Sequence, residues 1–185
     1  PVDYGWWEDR SLYQPIQLGD AERFIPLMET DGNNISEWNP VFSEFTGMYW
    51  IWRNPQPFDY IGICHYRRRL DFNDDYDFDS AFRDFGAIAA DPIDLGMSVY
   101  NQYRLCHCGM DMDLAWEAVE ELYPEYLDAW DRYIMNGSTL YYGNGLVLRK
   151  QDFDRLVEFE FRVMHRVFEE NGWSDPQKVT DSVFA

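Results

Sequence analysis

Positive charge is what this sequence has least of. Its 185 residues carry 15 Lys and Arg against 34 Asp and Glu, giving a formal net charge of −19 and a pI near 4.3. Only two of the bases are lysines, Lys150 and Lys178. Such a surface repels phosphate backbones at long range, which argues against general nucleic-acid binding. It also disfavours anionic membranes, except through a local basic patch. Cysteine is scarce as well. Cys64, Cys106 and Cys108 form a small, odd-numbered set, unlike a disulfide scaffold and suited to a reducing compartment. No apolar run approaches the roughly 18 residues of a membrane-spanning helix, and no signal peptide is recognised. Walker A, dinucleotide-glycine, nucleophile-elbow and protein-kinase motifs are lacking, which removes several common enzyme classes.

Aromatic area is abundant instead. Eight Trp, 13 Tyr and 13 Phe make 18% of the chain, within 46% hydrophobic and 26% charged residues. That is the profile of a folded domain rather than a disordered one. Rings together with surplus carboxylates also suit carbohydrate, because rings stack on sugar faces and acids accept hydroxyl protons. The length predicts a single domain spanning 1–185, since no linker, repeat or low-complexity block divides it. The chain opens on Pro1 rather than Met, so we expect a fragment, or the ordered part of a longer protein, with frayed ends.

Residues 12–18 read as a short strand or extended arm, and 30–34 as a turn. Ser36 or Asn39 is a candidate cap, with Pro40 in the first helical turn. Trp38, Val41, Phe42, Phe45, Met48, Tyr49 and Trp52 then form one helical stripe. Trp50 lies off that stripe, where it would pack elsewhere or stack on a ligand. Residues 58–64 read as a buried strand of the kind found in parallel or mixed sheets, and 86–92 as a second. Helices are expected over 98–107, 113–122, 124–135 and 151–170, with strand at 139–142 and 146–148. Strands alternating with helices predict an α/β layered fold.

The strongest local signal is His65-Tyr66-Arg67-Arg68-Arg69, directly after the first predicted strand. Guanidinium forks suit phosphate oxygens, and ligands collect at strand ends in open α/β sheets. Two readings stay open: a diphosphate site with His65 as a further hydrogen-bonding group, or a solvated turn balancing the acids from Asp71 to Asp79. If the strand continues, Arg67 and Arg69 share a side. The acid run is not a calcium loop, because its sixth position is Tyr76 and its twelfth Phe82. Asp75-x-Asp77, Asp77-x-Asp79 and Asp111-x-Asp113 are spaced to hold a divalent cation on a nucleotide diphosphate, although chance pairs are expected in so acidic a chain. Cys106-His107-Cys108 lacks a second zinc half-site, so buried structural thiols are the expectation, with His107, Gln102 and Asp111 lining a polar cleft.

Three blocks run from Asp31 to Arg68: Asp31-Gly32-Asn33-Asn34-Ile35-Ser36-Glu37-Trp38-Asn39-Pro40, Glu44-Phe45-Thr46-Gly47-Met48-Tyr49-Trp50-Ile51-Trp52-Arg53-Asn54, and Asp59-Tyr60-Ile61-Gly62-Ile63-Cys64-His65-Tyr66-Arg67-Arg68. They resemble a bacterial glycosyltransferase family, long catalogued as a domain of unknown function, found in capsular, exopolysaccharide and lipopolysaccharide synthesis clusters. Looser similarity continues through Tyr100-Asn101-Gln102-Tyr103, His107, Tyr123-Pro124-Glu125-Tyr126 and Tyr142-Gly143-Asn144. The resemblance implies a glycosyltransferase A-type fold, a Rossmann-like mixed sheet flanked by helices. It implies sugar transfer from a nucleotide-diphosphate donor, uridine-linked, to a growing glycan or lipid-linked glycan. By that analogy Asn34, Ser36, His65, Arg67 and Arg68 bind the donor, and Gln102, His107 and Asn144 lie on the acceptor side or near a metal. His65, Glu44 and Asp111 are the catalytic candidates, with Asp113 a further possible base; Mn²⁺ or Mg²⁺ is the implied cofactor. The implied location is cytoplasmic, at the inner face of the cell membrane beside an assembly complex. The family's opening His-Lys strand, its Asn-Met pair near 143 and its C-terminal Arg…Glu-Arg motif are not found here. A non-catalytic sugar- or nucleotide-binding domain is therefore the alternative expectation.

Overall fold

In the computed structural model, placement is described for residues 12–19, 22, 23, 25–65, 68, 70–73, 75–141 and 145–175. In chain order the elements are a 3-10 turn Ser36–Trp38, helices α1 (Asn39–Phe42) and α2 (Phe45–Arg53), strand β1 (Tyr60–Ile63) and helix α3 (Phe78–Asp84). Strands β2 (Ala87–Ala89) and β3 (Ile93–Asp94) and helices α4 (Val99–Cys106) and α5 (Gly109–Leu122) follow. A 3-10 turn at Pro124–Tyr126 leads into α6 (Leu127–Trp130) and a π-helical turn at Asp131–Met135. Strands β4 (Thr139–Leu140) and β5 (Leu146–Arg149) and the long helix α7 (Lys150–Glu170) complete the chain. The elements form two compact units. One draws on Pro1–Ala89, Gly143–Val157 and Asp175–Ala185, the other on Ala90–Tyr142 and Glu158–Ser174.

The first unit is built on a sheet of order β1-β5-β2. Tyr60 pairs with Arg149 and Ile63 with Leu146, while Ala87 pairs with Leu148 on the other side. Both pairings are antiparallel, unlike the parallel or mixed sheet expected; the single parallel contact among the described residues is the bridge Gln17–Met28. The reason is visible in β1, where Ile61 is buried and Gly62 exposed. One covered face and one wet face is the habit of antiparallel strands. Against this sheet lies α3, with Tyr60 stacked on Phe82 at 4.8 Å and the Arg149 guanidinium 5.1 Å over the Phe82 ring. Met28, Met48, Ile61, Phe82, Val147, Phe153 and Val157 are the unit's buried apolar side chains.

The helix expected across 38–52 is broken. Ser43 takes φ 49° and ψ −127°, separating α1 from α2. Side chains drive the break: Asn39 Nδ2 donates to the Ser43 carbonyl at 2.9 Å, and Thr46 Oγ1 donates to the same oxygen at 3.0 Å. Such local bonds offer the backbone an alternative to the helical ladder. Thr46, Gly47 and Met48 are the buried residues of α2, so only Met48 of the predicted stripe reaches full burial. Neither Ser36 nor Asn39 caps a helix with its side chain. Pro40 does sit in the first turn of α1.

The second unit packs α5 against the later part of α7. Ala118, Val119 and Val163 form its buried cluster, covered by Ala115, Tyr123, Leu127, Trp130 and Phe159. Ser98 caps α4, accepting from Asn101 N at 3.3 Å. Helix α5 starts at Gly109, four residues before the expected start at 113. The predicted helix over 124–135 is in fact a 3-10 turn, a short α-helix and a π turn. Gly137 follows the π turn, two residues after its last residue, Met135. A Cβ there would stand 2.6 Å from the Tyr133 carbonyl oxygen, so the chain leaves through a gap only glycine fits. Among the described residues no helix is long and apolar enough to cross a membrane.

Candidate functional site

The described residues from which chemistry was expected fall in both units. In the first unit the loop before α1 is tied to the end of α2. Asn54 Oδ1 accepts from Asn33 N at 3.0 Å, and Asn54 Nδ2 donates to the Asn33 carbonyl at 2.9 Å and the Trp50 carbonyl at 2.8 Å. A Cβ on Gly32 would lie 2.4 Å from Asn54 Oδ1. The clamp therefore needs glycine, because an Asn54 side chain holding three bonds has little room to yield. Within the clamped loop Asn34 and Ser36 are brought together. Asn34 Oδ1 accepts from Ser36 Oγ at 2.8 Å and from Ser36 N at 3.2 Å, while Asn34 Nδ2 donates to the Gly32 carbonyl at 2.7 Å.

The described strand stops short of the basic run. The strand ends at Ile63, and Arg68 N donates to the His65 carbonyl at 2.8 Å, closing a turn. His65 is half-buried and Arg68 exposed. Arg67 and Arg69, and with them the expectation that they share a side, lie outside the described residues, as does Asn144. Glu44 occupies the position before the first residue of α2 and is half-buried. Its carbonyl accepts from Gly47 N and Met48 N, and its side chain does not cap α2.

Within the 75–79 Asp-x-Asp run, two residues do structural work. Asp77 caps α3, accepting from Ser80 N at 2.8 Å, and Asp79 accepts from the Tyr60 hydroxyl. That bond is the first cause of the raised Tyr60 pKa. Among the described residues no three His, Cys, Asp or Glu side chains gather as a metal site. Those residues therefore do not by themselves form a complete Mn²⁺ or Mg²⁺ cage. The three described thiols are unpaired; Cys64 is half-buried, while Cys106 and Cys108 are exposed rather than buried as expected. Burial pushes the Cys64 thiol up, which disfavours the thiolate a nucleophile needs.

In the second unit the end of α4 gathers Gln102, Tyr103, His107 and Asp111. The His107 and Tyr103 rings lie 4.7 Å apart. The Tyr103 hydroxyl reaches Asp111 Oδ2 at 3.5 Å, and Gln102 Nε2 reaches Cys106 Sγ at 3.5 Å. Burial, and then the Asp111 charge, raise the Tyr103 pKa. His107 and Asp111 are thus both brought to Tyr103, whereas the recorded side-chain partner of Gln102 is Cys106.

Two carboxylates escaped the sequence reading. Glu29 is completely buried; its Oε1 accepts from Gly19 N at 2.6 Å, and its Oε2 has no hydrogen-bond partner. Glu160, on α7, has an enclosed Oε2 without a partner, and burial raises its pKa from 4.5 to about 7. The helical spacing of Glu160 from Phe153 and Val157 puts it on their face of α7. That is the signal that was available for it. Glu29 follows Leu27-Met28 before a turn, a context that gives no such signal.

A family profile described as a domain of unknown function, DUF4422, matches residues 5–185. No curated protein matches. Among solved structures, the apo form of the bifunctional glycosyltransferase WbbM is similar over 87% of this chain and 35% of its own, at 24% identity and a TM-score of 0.76. The fold is thus shared, and the chain spans about a third of that protein's length. With nearly its whole length matched by the profile, the chain belongs to the DUF4422 family.

Proposed function

We propose that the chain is a glycosyltransferase, or the transferase domain of a longer one, moving a sugar from a nucleotide-diphosphate donor to a glycan of a capsular, exopolysaccharide or lipopolysaccharide type. The observation that carries this reading is the fold likeness to a bifunctional glycosyltransferase over 87% of the chain. The His65–Arg68 turn after β1 supports it chemically. Leaving-group charge on a diphosphate must be neutralised as the glycosidic bond breaks, and Arg67 and Arg68 are the cations assigned to it. Asn34 and Ser36, held in the clamped loop, shape the donor side. Gln102, His107 and Asn144 serve the acceptor. His65, Glu44 and Asp111 are the groups proposed to orient the reacting hydroxyl or take its proton. Mn²⁺ or Mg²⁺ would add charge neutralisation if bound, with the donor's own phosphates completing its ligands.

The test is a thermal-shift and calorimetric screen against nucleotide-sugars, with and without Mn²⁺. A donor at a hundred times its Kd adds about 2.7 kcal/mol to apparent stability, a rise of roughly 5–10 °C in Tm for a chain of this size. The shift should vanish in Arg67→Ala/Arg68→Ala. Donor hydrolysis then separates the alternatives: a transferase turns over some donor without acceptor, whereas a binding domain shifts but releases no nucleotide. No shift with any nucleotide-sugar, in a folded sample, refutes the diphosphate assignment.

A further inference from the structure

The second unit contains a cavity of about 280 Å³ walled by Tyr100, Asp113, Trp116, Glu117, Trp130 and Met135. That volume lies just below the roughly 300–1,000 Å³ usual for drug-sized ligand sites, the scale of one sugar ring. We infer that this cavity binds one pyranose of an uncharged glycan. On the transferase reading, on which its role rests, that glycan is the acceptor.

The wall is assembled from helix geometry. Asp113, Trp116 and Glu117 stand at i, i+3 and i+4 on α5, so they share one face. Two carboxylates flank an indole. The Tyr100 hydroxyl donates to Asp113 Oδ1 at 2.7 Å, which orients this carboxylate and occupies one of its roughly four acceptor positions. Trp130 packs against the Ala118–Val119–Val163 cluster, so the second indole is a fixed surface. Met135 closes the π turn, and π turns recur at functional sites because they displace side chains from helical register.

A pyranose has an apolar C–H face and an edge of hydroxyl donors. Indole faces, with their negative quadrupole, suit the first; ionised carboxylates, as strong acceptors, suit the second. The same carboxylates repel phosphate and uronate groups. Arg104, over the Tyr100 ring with its Cζ 5.5 Å from the centroid, is not part of the wall. The cavity is therefore chemically unlike the arginine turn proposed for the diphosphate, and selects a neutral sugar.

Saturation-transfer NMR and calorimetry on the full chain, without nucleotide, test this with methyl glucoside, methyl galactoside, methyl N-acetylglucosaminide, methyl glucuronide and tetramethylammonium. A neutral glycoside should bind, and the glucuronide more weakly. Trp116→Ala should weaken binding about tenfold, the equivalent of one lost stacking contact. Trp116 is 38% exposed, so its removal spares the core; Asp113→Asn/Glu117→Gln is the second variant, expected to weaken neutral glycosides and narrow the gap to the glucuronide. Binding confined to tetramethylammonium overturns the proposal in favour of a cation cage. Absence of glycoside binding, or binding untouched by both folded variants, overturns it outright. Donor hydrolysis by the parent chain is followed separately. Hydrolysis without glycoside binding removes the cavity's role alone, and glycoside binding without hydrolysis removes the transferase reading alone.

Discussion

At the residue scale, the two enclosed carboxylates differ in what holds them. Glu29 has a backbone donor on one oxygen, whereas burial dominates Glu160 and lifts its pKa to about 7. The folded chain therefore binds the Glu160 proton more tightly than the unfolded chain does. The stability carried by the neutral carboxyl is complete below the ordinary value of 4.5 and is lost as pH rises through about 7. Glu160 keeps part of its surface in water, so the loss between about pH 5 and 8 should be about 1–3 kcal/mol, less than the full shift implies. Glu160→Gln should flatten that slope and be the more stable protein at pH 8. Urea titrations of both proteins across this range measure it, and parallel pH profiles would refute it. Neither carboxylate entered the sequence reading of the site. Asn34 and Ser36 entered only through the family resemblance, and the structure joins them. Glu29 was not legible, because a single acid beside apolar residues reads as surface until its neighbours are known.

Among the elements, α7 was legible because one periodic apolar face runs along it. The α1–α2 break was not. A hydrophobic stripe continues through it, and only the bonds from Asn39 and Thr46 reveal the competition. The sheet's direction was missed for a related reason: a short apolar run does not show which partner it will pair with. Ser43 sits where a side chain is disfavoured, at φ 49° with ψ −127°. Ser43→Gly should relieve that strain and stabilise the protein by about 0.5–1.5 kcal/mol, after the entropy glycine adds to the unfolded chain. Thermal unfolding measures the change, and a lower Tm would show that the Ser43 side chain contributes more than its backbone strain costs.

For the whole molecule, charge outweighs the individual ion pairs. Lys150–Asp154, Arg162–Glu158 and Arg166–Glu170 lie along α7, and Arg166 also meets Glu121 of α5. Surface pairs of this kind contribute about 0–1 kcal/mol each and weaken with salt. The net charge of −19 instead favours expansion, and salt screens that repulsion. The balance predicts a Tm that rises by several degrees between about 20 and 300 mM NaCl, where the Debye length falls from roughly 20 to 6 Å. Calorimetry at fixed pH tests it, and a falling Tm would mean that the ion pairs dominate. Under the proposed function, the same repulsion would act on a nucleotide-sugar approaching from solvent, and the arginines assigned to its diphosphate would have to offset it.

The Asn54 clamp ties a loop to the last turn of a helix through one side chain. The Asn33 amide proton, although it belongs to no helix or strand, is held by Asn54 Oδ1. Its exchange with solvent deuterium is then governed by how often the end of α2 frays. Asn54→Ala should make that single proton exchange several-fold faster, while protons in the middle of α7 keep their rate. The loop thus keeps time with a helix it is not part of.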